Sequence, residues 1–312
     1  MLRRIAVALA VALVAPACSS SGNAAPPAEA PAPVAPKPAA PPAAPVAKPE
    51  PRVVVVSVDG LRADLITPEV MPRHAKLAAE GATAKSASTI PETDTLPSHA
   101  AMLSGVGAAA HGLTWNSYRK DRGPIRVPTV FSAAHDRKLA TAMFVGKAKL
   151  RHLLLPGSVD HFEIPRDPTC AGVAAAAAAH FASARPHLMF VHFSDPDDAG
   201  HRSGWLSPDY LAAAKASDRC LGTLLDAIDA TPMAASTLVI VTADHGGDGH
   251  SHSDGRSQLN RRIPWIARGA GFARASTIDA PVDTRDTAAT VLAALGLPAL
   301  PNMLGTSRLP VR

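Results

Sequence analysis

The sequence predicts an α/β domain: a three-layer α/β/α sandwich around a mainly parallel sheet. Short runs rich in Val, Ile, Leu and Ala recur with almost no polar alternation, as strands buried on both faces require. Longer helix-like stretches separate these runs. Carboxylates follow directly after several of them, where parallel sheets bind their ligands.

The first 17 residues read as an export signal. Met1-Leu2-Arg3-Arg4 supplies the positive start, residues 5–17 an apolar segment too short to cross a bilayer, and Ala15-Pro16-Ala17 a small-residue cleavage site. Cys18 comes next, then Ser19-Ser20-Ser21-Gly22. This arrangement resembles a bacterial lipoprotein signal and implies a lipidated Cys18; the alternative is simple cleavage after Ala17. Either way the chain is expected in the periplasm or at the outer surface, and lipidation would anchor it to the membrane. Residues 18–52 then form a linker, almost all Ala and Pro from residue 24. Such a segment cannot bury a core and favours extended polyproline II, at ~3.1 Å per residue a spacer of roughly 80 Å.

The catalytic-size domain is expected over residues 53–312. Strands are predicted at 53–58, 142–145, 188–191, 238–241 and 264–267, and helices at 128–137, 171–184, 208–229 and 286–295. Aromatics make up only 4% of the chain, so the core is aliphatic. The net charge of +5 is spread out, with no basic stripe carrying interleaved aromatics, which argues against a nucleic acid polymer as partner. A mild positive balance suits a small anionic substrate. Cys170 and Cys220 lie in no metal-like spacing; in an oxidising compartment they either pair or remain buried thiols.

The densest chemistry lies at Thr242-Ala243-Asp244-His245-Gly246-Gly247-Asp248-Gly249-His250-Ser251-His252, directly after an apolar run. Carboxylates and imidazoles at the carboxyl end of a buried strand serve a ligand or metal more readily than packing. Asp59 follows the first strand and precedes Gly60; alone it is only a turn. In Thr95-Leu96-Pro97-Ser98-His99, Pro97 suits the first turn of a helix, so Thr95 is either an N-cap or a nucleophile at an anion-favouring helix start. Asp197 and His201 are four apart, a workable metal pair.

Together these pieces resemble the alkaline phosphatase superfamily, in particular its type I phosphodiesterase/nucleotide pyrophosphatase branch. The resemblance rests on Val58-Asp59-Gly60, Thr95-Leu96-Pro97-Ser98-His99, His111-Gly112-Leu113-Thr114-Trp115-Asn116, Pro196-Asp197-Asp198-Ala199-Gly200-His201, and Asp244-His245-Gly246 with a later His252. It runs from about residue 53 to 304 and implies an alkaline phosphatase-like fold with two Zn²⁺. Asp59, Asp244 and His245 would hold one ion, which also binds the Thr95 oxygen; Asp197, His201 and His252 would hold the other, with His250 as rival for the last place. Mixed His and carboxylate donors suit zinc. Thr95 would be the nucleophile, passing through a phospho-threonine intermediate, and Asn116 would donate to a non-bridging phosphate oxygen.

Lys147 and Lys149 follow a predicted strand, where some phosphomonoesterases of the superfamily carry a Lys-x-Arg pair that grips the substrate; Lys147 is thus a candidate substrate-binding residue, and a solvated basic loop is the alternative. A sulfatase would need Cys or Ser in place of Thr95 and Arg in place of His99. The expected activity is therefore phosphoric ester hydrolysis, diesterase or pyrophosphatase first and monoesterase second. A lipid-anchored protein that binds metal or phosphate without turnover is the further alternative. The expected substrate is a small phosphorylated molecule.

Overall fold

The computed structural model describes residues 50–269 and 271–310. The expected export signal, Cys18 and the expected linker up to residue 49 lie outside the described residues. The strands are β1 (Arg52–Val58), β2 (Ala82–Ala84), β3 (Ala87–Ser88), β4 (Thr141–Val145), β5 (His161–Glu163), β6 (Leu188–Phe193), β7 (Thr237–Thr242), β8 (Trp265–Arg268), β9 (Ser276–Ile278) and β10 (Val282–Asp283). The helices are α1 (Pro72–Glu80), α2 (Thr95–Ser104), α3 (Ala108–His111), α4 (Val130–Asp136), α5 (Cys170–Ala184), α6 (Asp195–Ser203), α7 (Pro208–Asp229), α8 (Gln258–Arg261) and α9 (Asp286–Ala294).

Eight strands form one sheet in the order β5-β4-β6-β1-β7-β8-β2-β9. The five from β5 to β7 run parallel, β8 runs antiparallel to both neighbours, and β2 and β9 pair parallel. Helices α1, α5 and α7 pack together on one face; α2, α4 and α9 pack together on the other. This is the three-layer α/β/α architecture that alternating strands and helices predicted. The central strands are the most buried: Val53 to Val56 of β1 have no exposed surface, nor do Met189 to Val191 of β6 or Ile240 and Val241 of β7.

The five predicted strands form, each within a residue or two of its expected bounds, as do the four predicted helices. Cys170 and Cys220 are joined in a disulfide that ties α5 to α7 across 50 residues of sequence. Among the described residues no helix is long and apolar enough to cross a membrane.

Candidate metal centre

The parallel strands end together, and the loops beyond them are stitched to one another. The Asp59 amide donates to the Phe193 carbonyl at 2.9 Å, and the Asp197 amide donates to the Asp59 carbonyl at 3.1 Å. The Gly60 amide donates to Asp244 Oδ1 at 3.1 Å. Gly60 is required here: its φ is +69°, and an added Cβ would lie 3.0 Å from Asp197 Cα. Trp205 supports the same loops from beneath. Its Nε1 donates to the Gly60 carbonyl at 2.9 Å, and its ring lies so close to Gly200 and Gly247 that neither position has room for a side chain.

Two groups of donors result. Asp59, Asp244 and His245 form one; Asp197, His245 and His252 form the other; within each group one donor atom per residue lies within 4.8 Å of the rest, and all five residues are buried. His245 Nε2 stands 3.3 Å from Asp59 Oδ1, 3.3 Å from Asp244 Oδ2 and 3.8 Å from Asp197 Oδ1. His201 borders the second group from its half-exposed position: its Nε2 is 3.4 Å from Asp197 Oδ1 and 3.1 Å from His252 Nε2. His250 instead turns its Nδ1 to the His201 carbonyl at 3.2 Å.

These donors fit a pair of divalent cations. Asp59 Oδ1, Asp197 Oδ1, Asp244 Oδ2 and His245 Nε2 are all buried without a hydrogen-bond partner. Buried polar atoms are normally satisfied, so four orphans aimed at a common space demand a ligand. The charges agree. Burial and the nearby Asp59 carboxylate raise the Asp244 carboxyl to about 7. Burial works against a charged His245, yet Asp244 with Asp59 and Asp197 raises it to about 10. Burial, with His245 beside it, lowers His252 to about 3, leaving a neutral imidazole able to ligate.

Thr95 is the first residue of α2, and Asp94, with extended backbone, is its N-cap. The Thr95 hydroxyl is therefore not spent on capping. It has no exposed surface. Lys149 adjoins it: its Nζ lies 3.4 Å from Thr95 Oγ1 and donates to Asn116 Oδ1 at 3.0 Å. Asn116 was expected to offer its amide to a phosphate oxygen. Its Oδ1 instead accepts from the Leu96 amide at 3.1 Å, and its Nδ2 faces Asp94 Oδ1 at 3.3 Å, so in this state it pins the start of α2.

Neither lysine belongs to a solvated loop. Lys147 was a candidate for the substrate, yet its Nζ donates to Asp59 Oδ2 at 2.8 Å and to Asp197 Oδ2, with Asp198 Oδ1 3.6 Å away. The sequence reading also missed a buried layer beneath the donors. His192 donates from Nε2 to Asp59 Oδ2 at 3.0 Å, and Ser57 and His99 share a hydrogen bond of 2.8 Å. Both His192 and Ser57 sit inside apolar strands, and that interruption was the one available signal.

A mainly parallel sheet with Asp and His donors at its carboxyl edge is the framework of the alkaline phosphatase-like hydrolases. The chain belongs to the type I phosphodiesterase/nucleotide pyrophosphatase family, whose profile matches residues 53–271. Members of that family are hydrolases. Among curated relatives it is similar to the bis(5'-adenosyl)-triphosphatase enpp4 of Xenopus laevis, 26% identical over 216 residues that make up 63% of this chain and 47% of the relative. It is likewise 27% identical to human ectonucleotide pyrophosphatase/phosphodiesterase family member 5 over 216 residues, 62% of this chain and 44% of the relative. The chain thus spans about half the length of these relatives. The fold matches an inactive form of murine ectonucleotide pyrophosphatase/phosphodiesterase 5 in complex with AMP, with a TM-score of 0.66 and 16% identity over 81% of this chain and 96% of that one. It also matches a putative sulfatase from Bacteroides thetaiotaomicron, with a TM-score of 0.70 and 16% identity over 84% and 74% of the two chains.

Proposed function

We propose that the protein is a two-zinc phosphoric ester hydrolase, a phosphodiesterase or nucleotide pyrophosphatase, acting on a small phosphorylated substrate through a phospho-threonine at Thr95. The observation that carries this reading is the set of unpartnered donors on Asp59, Asp197, Asp244 and His245, set beside a helix that begins at Thr95. Asp59, Asp244 and His245 would hold one ion; Asp197, His252 and the half-exposed His201 would hold the other. Bound there, the ions supply Lewis acidity that lowers the pKa of a hydroxyl and screens the charge of a phosphate ester.

The remaining work falls to side chains and backbone. The positive end of α2 favours an anion beside Thr95, and the Leu96 amide becomes available to it once Asn116 Oδ1 lets go. The Lys149 ammonium must leave the hydroxyl for substrate to reach it, and it can then pair with the incoming phosphate. That movement also releases Asn116 Oδ1 from Lys149. Thr95 Oγ1 bonds to phosphorus as the ester bond to the leaving group breaks. The hydroxyl proton passes to solvent and the leaving oxygen takes one from water. A water molecule then attacks phosphorus, the Oγ1–P bond breaks, and Thr95 regains its proton.

A second reading, phosphomonoesterase activity on the same site, is favoured by Lys149, since an ammonium beside the nucleophile suits the extra charge of a monoester. Export and anchoring through a lipidated Cys18 complete the proposal, and the disulfide between Cys170 and Cys220 suits an oxidising compartment. One preparation should be assayed on an aryl phosphodiester and an aryl phosphomonoester, with and without chelator. Faster diester hydrolysis, lost to chelator and restored by zinc, is expected. Indifference to chelator would sink the metal reading, and preference for the monoester would select the second one.

A further inference from the structure

Lys147 joins the two donor groups through the oxygens that neither group uses. Its side chain is 13% exposed, with Asp59 fully buried and Asp197 nearly so. Asp59 gives Oδ2 to the Lys147 ammonium and keeps Oδ1 bare, and Asp197 divides its two oxygens in the same way. Asp59 belongs to one donor group and Asp197 to the other. Asp198, at 3.6 Å, adds a third carboxylate to the same ammonium.

We infer that Lys147 is a resident counter-cation that aligns Asp59 and Asp197 and links the two metal positions, rather than a group that binds substrate. Carboxylates brought together out of water repel one another, and without a cation they would rotate or draw apart. Lys147 meets each of them at Oδ2, so it can neutralise both while their Oδ1 atoms stay bare. An ammonium with its donors already engaged by carboxylates has little left for a phosphate. Lys149, whose Nζ faces Thr95 and Asn116, is the lysine placed for the substrate. The inference rests on the metal-centre reading above.

The test uses the full chain carrying Lys147→Met, with Lys147→Arg as the charge-keeping control. Unfolding midpoints are measured in chelator and in saturating zinc. Removing one partner from a buried charge pair should lower the metal-free midpoint by about 5–15 °C. Zinc should restore at least half of that loss, because the bound ions then neutralise the same carboxylates. Lys147→Arg should stay near the parent. At saturating zinc, KM for an aryl phosphodiester should remain within about twofold of the parent while kcat falls. A variant that fails to fold in chelator but folds in zinc meets the expectation. An unchanged metal-free midpoint, a loss that zinc does not reduce, or a raised KM with an unchanged midpoint overturns it. If zinc fails to raise the parent's own midpoint, the metal-centre reading is what fails.

Discussion

His192 donates from Nε2 to Asp59 Oδ2 at 3.0 Å, from inside a strand that is otherwise apolar. The bond fixes which oxygen of Asp59 stays bare. The His192 ring is itself held by the Gly146 amide, which donates to its Nδ1 at 3.4 Å. Partners of this kind behind a ligand set its orientation and basicity. Replacing His192 with Phe keeps bulk and removes the donor. Zinc affinity should fall about 10–100-fold. Competition against a chromophoric chelator measures this, and an unchanged affinity would show that Lys147 alone orients Asp59.

Thr95→Ala separates catalysis from binding. The variant should lose turnover of an aryl phosphodiester by about 10³-fold or more, as loss of a nucleophile does, while still binding two zinc ions per chain. Trapping with radiolabelled substrate at low pH should label the parent and not the variant. Retained turnover would remove the phospho-threonine route. A parent that binds zinc but never turns over would leave a binding protein.

Stability should depend on pH in a direction set by Asp244 and His245. The Asp244 carboxyl is raised to about 7, so its folded form prefers the proton and stability falls as pH climbs from about 4 through 7. His245 is raised to about 10; the stability its charge contributes is complete below about 6.5 and is lost as pH rises through 10. Chelated protein should therefore unfold progressively more easily between about pH 6.5 and 10. Zinc affinity should rise over the same window, because ligation needs the deprotonated donors. Thermal melts in chelator and in zinc across this range test both signs. Rising stability of the chelated chain with pH would contradict the assignment.

Opening the Cys170–Cys220 bond should cost stability without touching the chemistry. Its loop spans 50 residues, for which the chain-entropy account gives about 4 kcal/mol. The paired Cys170→Ser and Cys220→Ser variant should melt about 10 °C lower. At 25 °C its KM should match the parent's, since the bond joins the outer helices α5 and α7 and none of the donor residues. A changed KM would mean that the helical layer steers the site.

Much of the framework was legible because β-branched runs and helical segments carry their own period. The five buried strands and the four predicted helices follow from this, and so do the donors that lie just past strand ends. The short pieces did not announce themselves. Strands β2, β9 and β5 have three residues each, and β3 and β10 two, too few for alternation to register. The antiparallel run of β8 depends on how the chain returns to the sheet, which no local pattern encodes. Within the site, residue type gave the donors, but spacing could not give side-chain direction. Hence Lys147 and Lys149, two positions apart, take different partners: one turns to carboxylates, the other to a hydroxyl and an amide. Asn116 carries the right chemistry for a phosphate and in this state holds a helix start instead.

His245 has a bearing on the order in which the centre fills. Its Nε2 has one lone pair, yet it faces both halves of the site, closer to Asp59 and Asp244 than to Asp197. Only one ion can take it. The half that wins has three enclosed donors, whereas the other must complete its shell with His201, whose ring is nearly half open to water. Zinc added in small portions is thus expected to occupy the inner half first, and a mild chelator to strip the outer one first. The protein would then exist as three distinct species along a zinc gradient, with turnover confined to the last.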